Sequence, residues 1–198
     1  MAHVEQLAFH LGAAAAPRTI ADDPTGRIAY VPGVLGPDAA ARLFRELREG
    51  VEWRHERRPM YDRVVDVPRL VAHFGPADEL PPALAAVKPQ VETIAGDAFN
   101  SVGLNLYRDG RDSVAMHNDH RDELEPLSTI ALLSLGATRA MRLHTKERPR
   151  RSVLIALEPG SMLLMAGAAQ EHWEHGIPKT REPVGERISV AFRRRPVE

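Results

Sequence analysis

The sequence predicts a mainly β domain with flanking helices (α+β): a double-stranded β-helix, or jelly roll, with an N-terminal helical and loop extension. From residue 101 onward, short apolar segments alternate with turn signals such as Asp109-Gly110, Gly136 and Pro159-Gly160. About eight strands at this spacing suit two stacked sheets, which can bury a site between them. Upstream the texture differs, with two stretches of helical period. The length of 198 residues fits one domain with a sizeable core.

Taken in order, residues 1–26 are Ala-rich, then polar, and without a clear period, so a loosely attached arm is expected there. Residues 27–198 form the single domain, divided into an extension over 27–100 and a jelly-roll core over 101–195. Ile28 to Val34 is strand-like. Pro37-Asp38 opens an amphipathic helix carrying Ala41, Leu43, Phe44 and Leu47, with Pro suited to the first helical position. Residues 52–83 are rich in Arg and Pro, with short strand-like pieces such as Val64 to Val67. A second helix is expected from Pro82 to Ala95, kinked or interrupted at Pro89. The core strands are Val102 to Tyr107, Ser113 to His117, Ile130 to Leu135 and Arg139 to His144. Ser152 to Leu157, Met162 to Met165, His172 to Ile177 and Arg187 to Arg193 follow.

Composition removes several function classes. There are no cysteines, so disulfides, thiolate metal sites and cysteine nucleophiles are excluded, and any metal must be held by nitrogen and oxygen. No apolar stretch is long enough to span a membrane, and the N-terminus lacks a basic start; a cytoplasmic, monomeric protein is expected. The net charge of −1 gives no overall attraction to a polyanion. Basic residues cluster locally, however, at Arg54, Arg57, Arg58, Arg63 and Arg69, and again over Arg139 to Arg151. Such clusters suit solvated loops as well as a polyanionic partner.

The chemistry-bearing pattern is His117-x-Asp119 followed much later by His175. Two imidazoles and one carboxylate can occupy one face of an octahedron, the facial triad of non-haem Fe(II) oxygenases. His-x-Asp alone is weak in a chain with nine histidines. The context strengthens it, because Arg187 and Arg193 share one face of the last strand and could clamp a dicarboxylate.

Taken together, the segments resemble the AlkB-type Fe(II)/2-oxoglutarate dioxygenases. The matching residues are Asn105 to Asp112, His117-Asn-Asp119, Ser134 to Arg139, Pro159 to Met165, His172 to Pro178 and Arg187 to Arg193. Val67-Pro68-Arg69 and Phe74-Gly75 also fit. The resemblance implies that His117, Asp119 and His175 bind Fe(II) and that Arg187 pairs with the distal carboxylate of 2-oxoglutarate. Asn105, Tyr107 and Arg193 would complete that pocket. It further implies consumption of O₂ and 2-oxoglutarate, release of succinate and CO₂, and oxidative demethylation of alkylated DNA or RNA bases with loss of formaldehyde. Met60-Tyr61 falls where relatives acting on duplexes carry a wedge, and Arg69 lies beside it on the substrate side.

Two features depart from the family pattern. No Tyr, Phe or Trp occurs between Phe74 and Phe99, where relatives carry a ring that stacks on the flipped base. Trp53, Tyr61 or Trp173 would have to replace it. Arg121 stands where an acid often recognises the cationic base, with Asp122 and Glu123 beyond it. These departures keep open an oxygenase whose substrate is a protein, lipid or small molecule. A binding module that merely kept the fold has no evident need of the triad and both arginines.

Overall fold

A computed structural model describes residues 16–60, 63–119 and 123–197. Strands β1 (Arg18–Asp23) and β2 (Gly26–Val31) precede helix α1 (Pro37–Gly50). A hairpin of β3 (Arg54–Met60) and β4 (Arg63–Phe74) leads to helix α2 (Pro82–Ala95). The roll comprises β5 (Ser101–Tyr107), β6 (Val114–His117), β7 (Ile130–Gly136), β8 (Arg139–Thr145) and β9 (Ser152–Leu157). It is completed by β10 (Met162–Ala166), β11 (Trp173–Ile177) and β12 (Arg187–Arg193), with one helical turn, α3 (Ala169–His172), before β11.

Two antiparallel sheets result, one ordered β1-β2-β10-β7-β12-β5-β4-β3 and the other β6-β11-β8-β9. Their facing surfaces enclose the interior of the jelly roll. The outer surface of the large sheet is covered by α1 and α2, which bury Ala40, Leu43 and Leu47 from one helix and Leu84, Val87 and Val91 from the other. Strand alternation sorts side chains between these environments. Val102, Leu104 and Leu106 of β5 and Ile188, Val190 and Phe192 of β12 join the helix-side core. The residues between them face the roll interior.

Three stretches differ from expectation. The arm begins to order before residue 26: β1 pairs with β2 from Arg18↔Tyr30 to Asp23↔Gly26. Only Ala21 of that strand is buried, and a register shift between Thr19 and Ala21 breaks the alternation, so no period was visible. The Arg- and Pro-rich stretch is one long hairpin rather than short pieces. Backbone pairing makes it, across a bulge between His55 and Arg57, without a continuous apolar face. Finally, α2 runs unbroken through Pro89. Ala85, whose carbonyl loses its helical donor at Pro89, lies on the exposed side, where water can serve instead. Among the described residues no helix is long and apolar enough to cross a membrane.

Candidate metal centre

Register builds the centre. Strand β11 lies antiparallel beside β6 with His175 opposite His117, and Asp119 follows two residues past the end of β6. The imidazole rings stand 4.4 Å apart, tilted by 51°. Candidate donor atoms of His117, Asp119 and His175 all lie within 4.8 Å of one another. Gly176 permits this closeness, because a Cβ there would meet Met116 Sδ and the Val114 carbonyl at 3.0 Å.

The donors are also in suitable states. His117 Nδ1 sits 2.9 Å from the Ala115 carbonyl, a group that only accepts, so Nδ1 carries a proton and Nε2 is the nitrogen left to serve a metal. Burial pulls His175 down to about 4, which keeps its imidazole neutral at physiological pH. Burial works the other way on Asp119, but Arg193 and His175 outweigh it and hold the carboxyl at about 2. Nitrogen and oxygen donors on one side of a half-enclosed space suit non-haem Fe(II) with open positions.

Two further side chains orient Asp119. Arg193 Nε donates to Oδ2 at 2.8 Å, leaving Oδ1 3.7 Å from His117 Nε2. Gln170 Oε1 accepts the Asp119 backbone N–H at 2.9 Å in a buried setting. Arg193 was expected to help complete the co-substrate pocket, and its Nε donates to the Asp119 carboxylate. Gly103 beneath it leaves the room, since a Cβ there would come within 2.8 Å of Arg193 Nη1. Sequence reasoning missed Gln170 altogether. A lone glutamine in a polar turn carries no periodic or motif signal.

On the inward face of β12, which also carries Arg193, stands a buried cation. Arg187 is 0% exposed and donates from Nη2 to Ser134 Oγ at 2.9 Å. Its Nε and Nη1 are buried without a hydrogen-bond acceptor among the described residues. Burial lowers Arg187 to about 10, still a cation at neutral pH, with partial support from Tyr107, whose ring centre lies 5.3 Å away. A buried cation with two idle donors is costly unless an anion pairs with it. The distal carboxylate of 2-oxoglutarate fits that need in charge and in the two-pronged geometry guanidinium offers. Tyr107 is opposite Arg187, and Asn105 is opposite Ser189 on the same inward face. Asn105 Oδ1 accepts from Arg69 Nε at 2.7 Å, and Arg69 Nη1 reaches the Ser113 carbonyl at 3.3 Å, so Arg69 joins the site through Asn105.

Arg139, read from the sequence as part of a surface cluster, is 3% exposed. It donates to the carbonyls of Asp109, Asp112 and Pro178 and fastens the loops behind Tyr107.

On the substrate side, Trp173 is removed from consideration as a stacking ring. It is 3% exposed, donates from Nε1 to Thr25 Oγ1 at 3.0 Å and lies under Arg151. The cause is period 2: residue 173 shares the inward face of β11 with His175, and its bulk fills the interior core. Trp53 packs against the helix-side core and donates to the Arg48 carbonyl. Met60 ends β3, while Tyr61, Arg121 and Asp122 lie outside the described residues. Glu123 pairs with Arg195 at 2.9 Å.

Comparison with known proteins agrees with this geometry. The 2OG-Fe(II) oxygenase superfamily model matches residues 71–193. The Bos taurus alpha-ketoglutarate-dependent dioxygenase alkB homolog 3 is 35% identical, over 88% of this chain and 68% of its own length. The Mus musculus DNA oxidative demethylase ALKBH2 is 31% identical over 81% of this chain and 77% of its own. The solved structure of OsALKBH1 superposes with a TM-score of 0.61 at 14% identity, covering 89% of this chain and all of that one, a likeness of fold. The chain therefore belongs to the 2OG-Fe(II) oxygenase superfamily as an AlkB-type member, an Fe(II)- and 2-oxoglutarate-dependent dioxygenase that consumes O₂.

Proposed function

We propose that this dioxygenase oxidatively demethylates alkylated nucleic-acid bases. One structural observation favours that substrate class. Strand β4 pairs with β5 only over Leu70–Phe74, so the rest of the β3–β4 hairpin projects past the sheet, starting from the site's own edge. Arg69 at its root is bonded to Asn105, and Pro68 accepts from the Ser113 backbone. A projecting strand pair that carries Arg57, with Arg54 at its root opposite Val71, can rest on a phosphate backbone while a base enters beside it. The similarity to a relative named as a DNA oxidative demethylase supports the same reading.

On this reading His117, Asp119 and His175 hold Fe(II), and Arg187 with Tyr107 and Asn105 seats 2-oxoglutarate. Bound together with O₂, these groups supply the oxidising power: 2-oxoglutarate becomes succinate and CO₂, and a substrate C–H becomes C–OH. Arg193 and Gln170 keep the Asp119 carboxylate oriented throughout. The interior core of Leu132, Leu143, Leu163 and Trp173 keeps bulk water from behind the metal. A hydroxylated N-methyl group then loses formaldehyde and leaves the base with an N–H.

The test is succinate release by the Fe(II)-loaded protein, with and without methylated single- and double-stranded oligonucleotides, followed by mass spectrometry of the bases. Stimulated turnover with demethylated product is expected, weakening steeply as salt rises. Succinate release that no nucleic acid stimulates would overturn the substrate class. The buried position of Trp173 and the packing of Trp53 against the helix-side core would then favour a protein, lipid or small-molecule substrate.

A further inference from the structure

We infer that Gln170 is a positioning residue for the metal centre, holding the Asp119 segment in the conformation that binds iron. The inference rests on the reading that His117, Asp119 and His175 hold the metal.

Asp119 lies past the end of β6, where no ladder bond fixes its backbone. Its N–H donates to Gln170 Oε1. The other end of the same amide, Nε2, faces Met165 Sδ at 3.8 Å. The Gln170 side chain is thereby pinned at both ends in a site only 7% exposed. Its main chain is also held, because Lys146 Nζ reaches the Gln170 carbonyl at 3.3 Å and Lys146 N donates to the His172 carbonyl at 2.8 Å.

Helix α3, which carries Gln170, is itself held tightly. Gly26, with φ of +120°, lies so close that a Cβ would overlap the backbone of Ala169. Gln170 therefore joins three rigid neighbours, β2, β10 and the β8–β9 turn, to the one triad ligand that lies beyond strand pairing. It also sits on the segment that delivers His175, so one short stretch of chain places two of the three ligands. Arg193 turns the carboxylate and Gln170 fixes the backbone that carries it.

A residue that merely filled space here would tolerate an apolar replacement of equal length. A positioning residue needs its acceptor oxygen. The test compares Gln170→Met, which keeps the length and loses the oxygen, with Gln170→Glu, which keeps an oxygen in the same place. Val87→Ala, in the helix-side core away from the site, serves as a variant destabilised for unrelated reasons. Each is titrated anaerobically with Fe(II), and with Mn(II) as a redox-stable probe, by calorimetry. The thermal midpoint of each metal-free protein is recorded alongside.

Expected is a ten- to hundredfold weaker metal affinity for Gln170→Met, a size usual for groups that orient ligands. Gln170→Glu should bind within a few-fold of the parent or tighter. Val87→Ala should bind as the parent does despite a lower midpoint. Equal affinity for Gln170→Met and the parent would overturn the inference, as would equal loss in the Met and Glu variants. If the parent itself bound no metal, the assignment of the triad would fall and this inference with it; that outcome is distinguished by the parent's titration alone.

Discussion

The two faces of β5 and β12 have opposite chemistry although they share every backbone bond. On the helix side, Val102, Leu104, Leu106, Ile188, Val190 and Phe192 form a continuous apolar surface. On the roll side, Gly103, Asn105, Tyr107, Arg187, Ser189 and Arg193 form a polar one. The first face stabilises by removing apolar area from water. The second buries a cation with two idle donors, an arrangement that costs stability and makes sense only when a ligand completes it. Substitutions on one face should thus change folding and leave chemistry alone, with the reverse on the other.

The largest effect belongs to the inner face. Asp119→Ala removes a metal donor and leaves Arg193 unpaired; succinate formation should fall to background, checked by turnover assay at saturating iron. Next comes Arg187→Met. Charged hydrogen bonds contribute about 1.5–3 kcal/mol each, so losing two should raise KM for 2-oxoglutarate by at least about a hundredfold. The metal-free protein should melt no lower than the parent, because an apolar side chain replaces a buried unpaired charge. A clear drop in melting temperature would break the comparison, since the arginine would then be supporting the fold.

Phe192→Ala, one residue before Arg193 but on the other face, should cost about 3–5 kcal/mol of stability by denaturant titration. KM for 2-oxoglutarate should be unchanged wherever the variant is folded. The smallest effect concerns pH. The buried His175 imidazole titrates near 4 against an ordinary 6.5, so between these values the unfolded chain binds a proton that the folded one refuses. The metal-free protein should therefore lose stability as pH falls from about 6.5 to about 4, by at most about 1.4 kcal/mol per pH unit. Melting curves across that range should show the slope, and His175→Leu should flatten it.

The comparison also shows what could be read in advance. The alternation along Arg187 to Arg193 was visible in the sequence, and the structure puts successive residues on opposite faces, with Arg187 and Arg193 on the same one. His117-x-Asp119 and His175 were legible as a triad, and the structure gathers them. Less legible were residues whose importance depends on what crosses them. Arg139 looked like surface charge and is a buried clasp. Trp173 looked like a spare aromatic and is core. The β1 strand and the long β3–β4 hairpin lacked a clean apolar period, because edge strands are made by backbone pairing and interrupted by bulges.

By itself, then, the sequence determined the β-rich class, the alternating faces of the core strands such as β5 and β12, and which three side chains could hold iron. Those follow from local periodicity and from donor chemistry, which need no partner to be recognised. Only the tertiary structure decided that Arg193 turns Asp119, that Gln170 holds its backbone, and that Arg187 keeps two N–H groups waiting inside the roll. Each of these is a meeting between distant segments, set by strand register and by how closely glycines such as Gly103 and Gly26 let neighbours approach. No local pattern encodes such meetings, because the free energy that selects them is shared across the whole packed core.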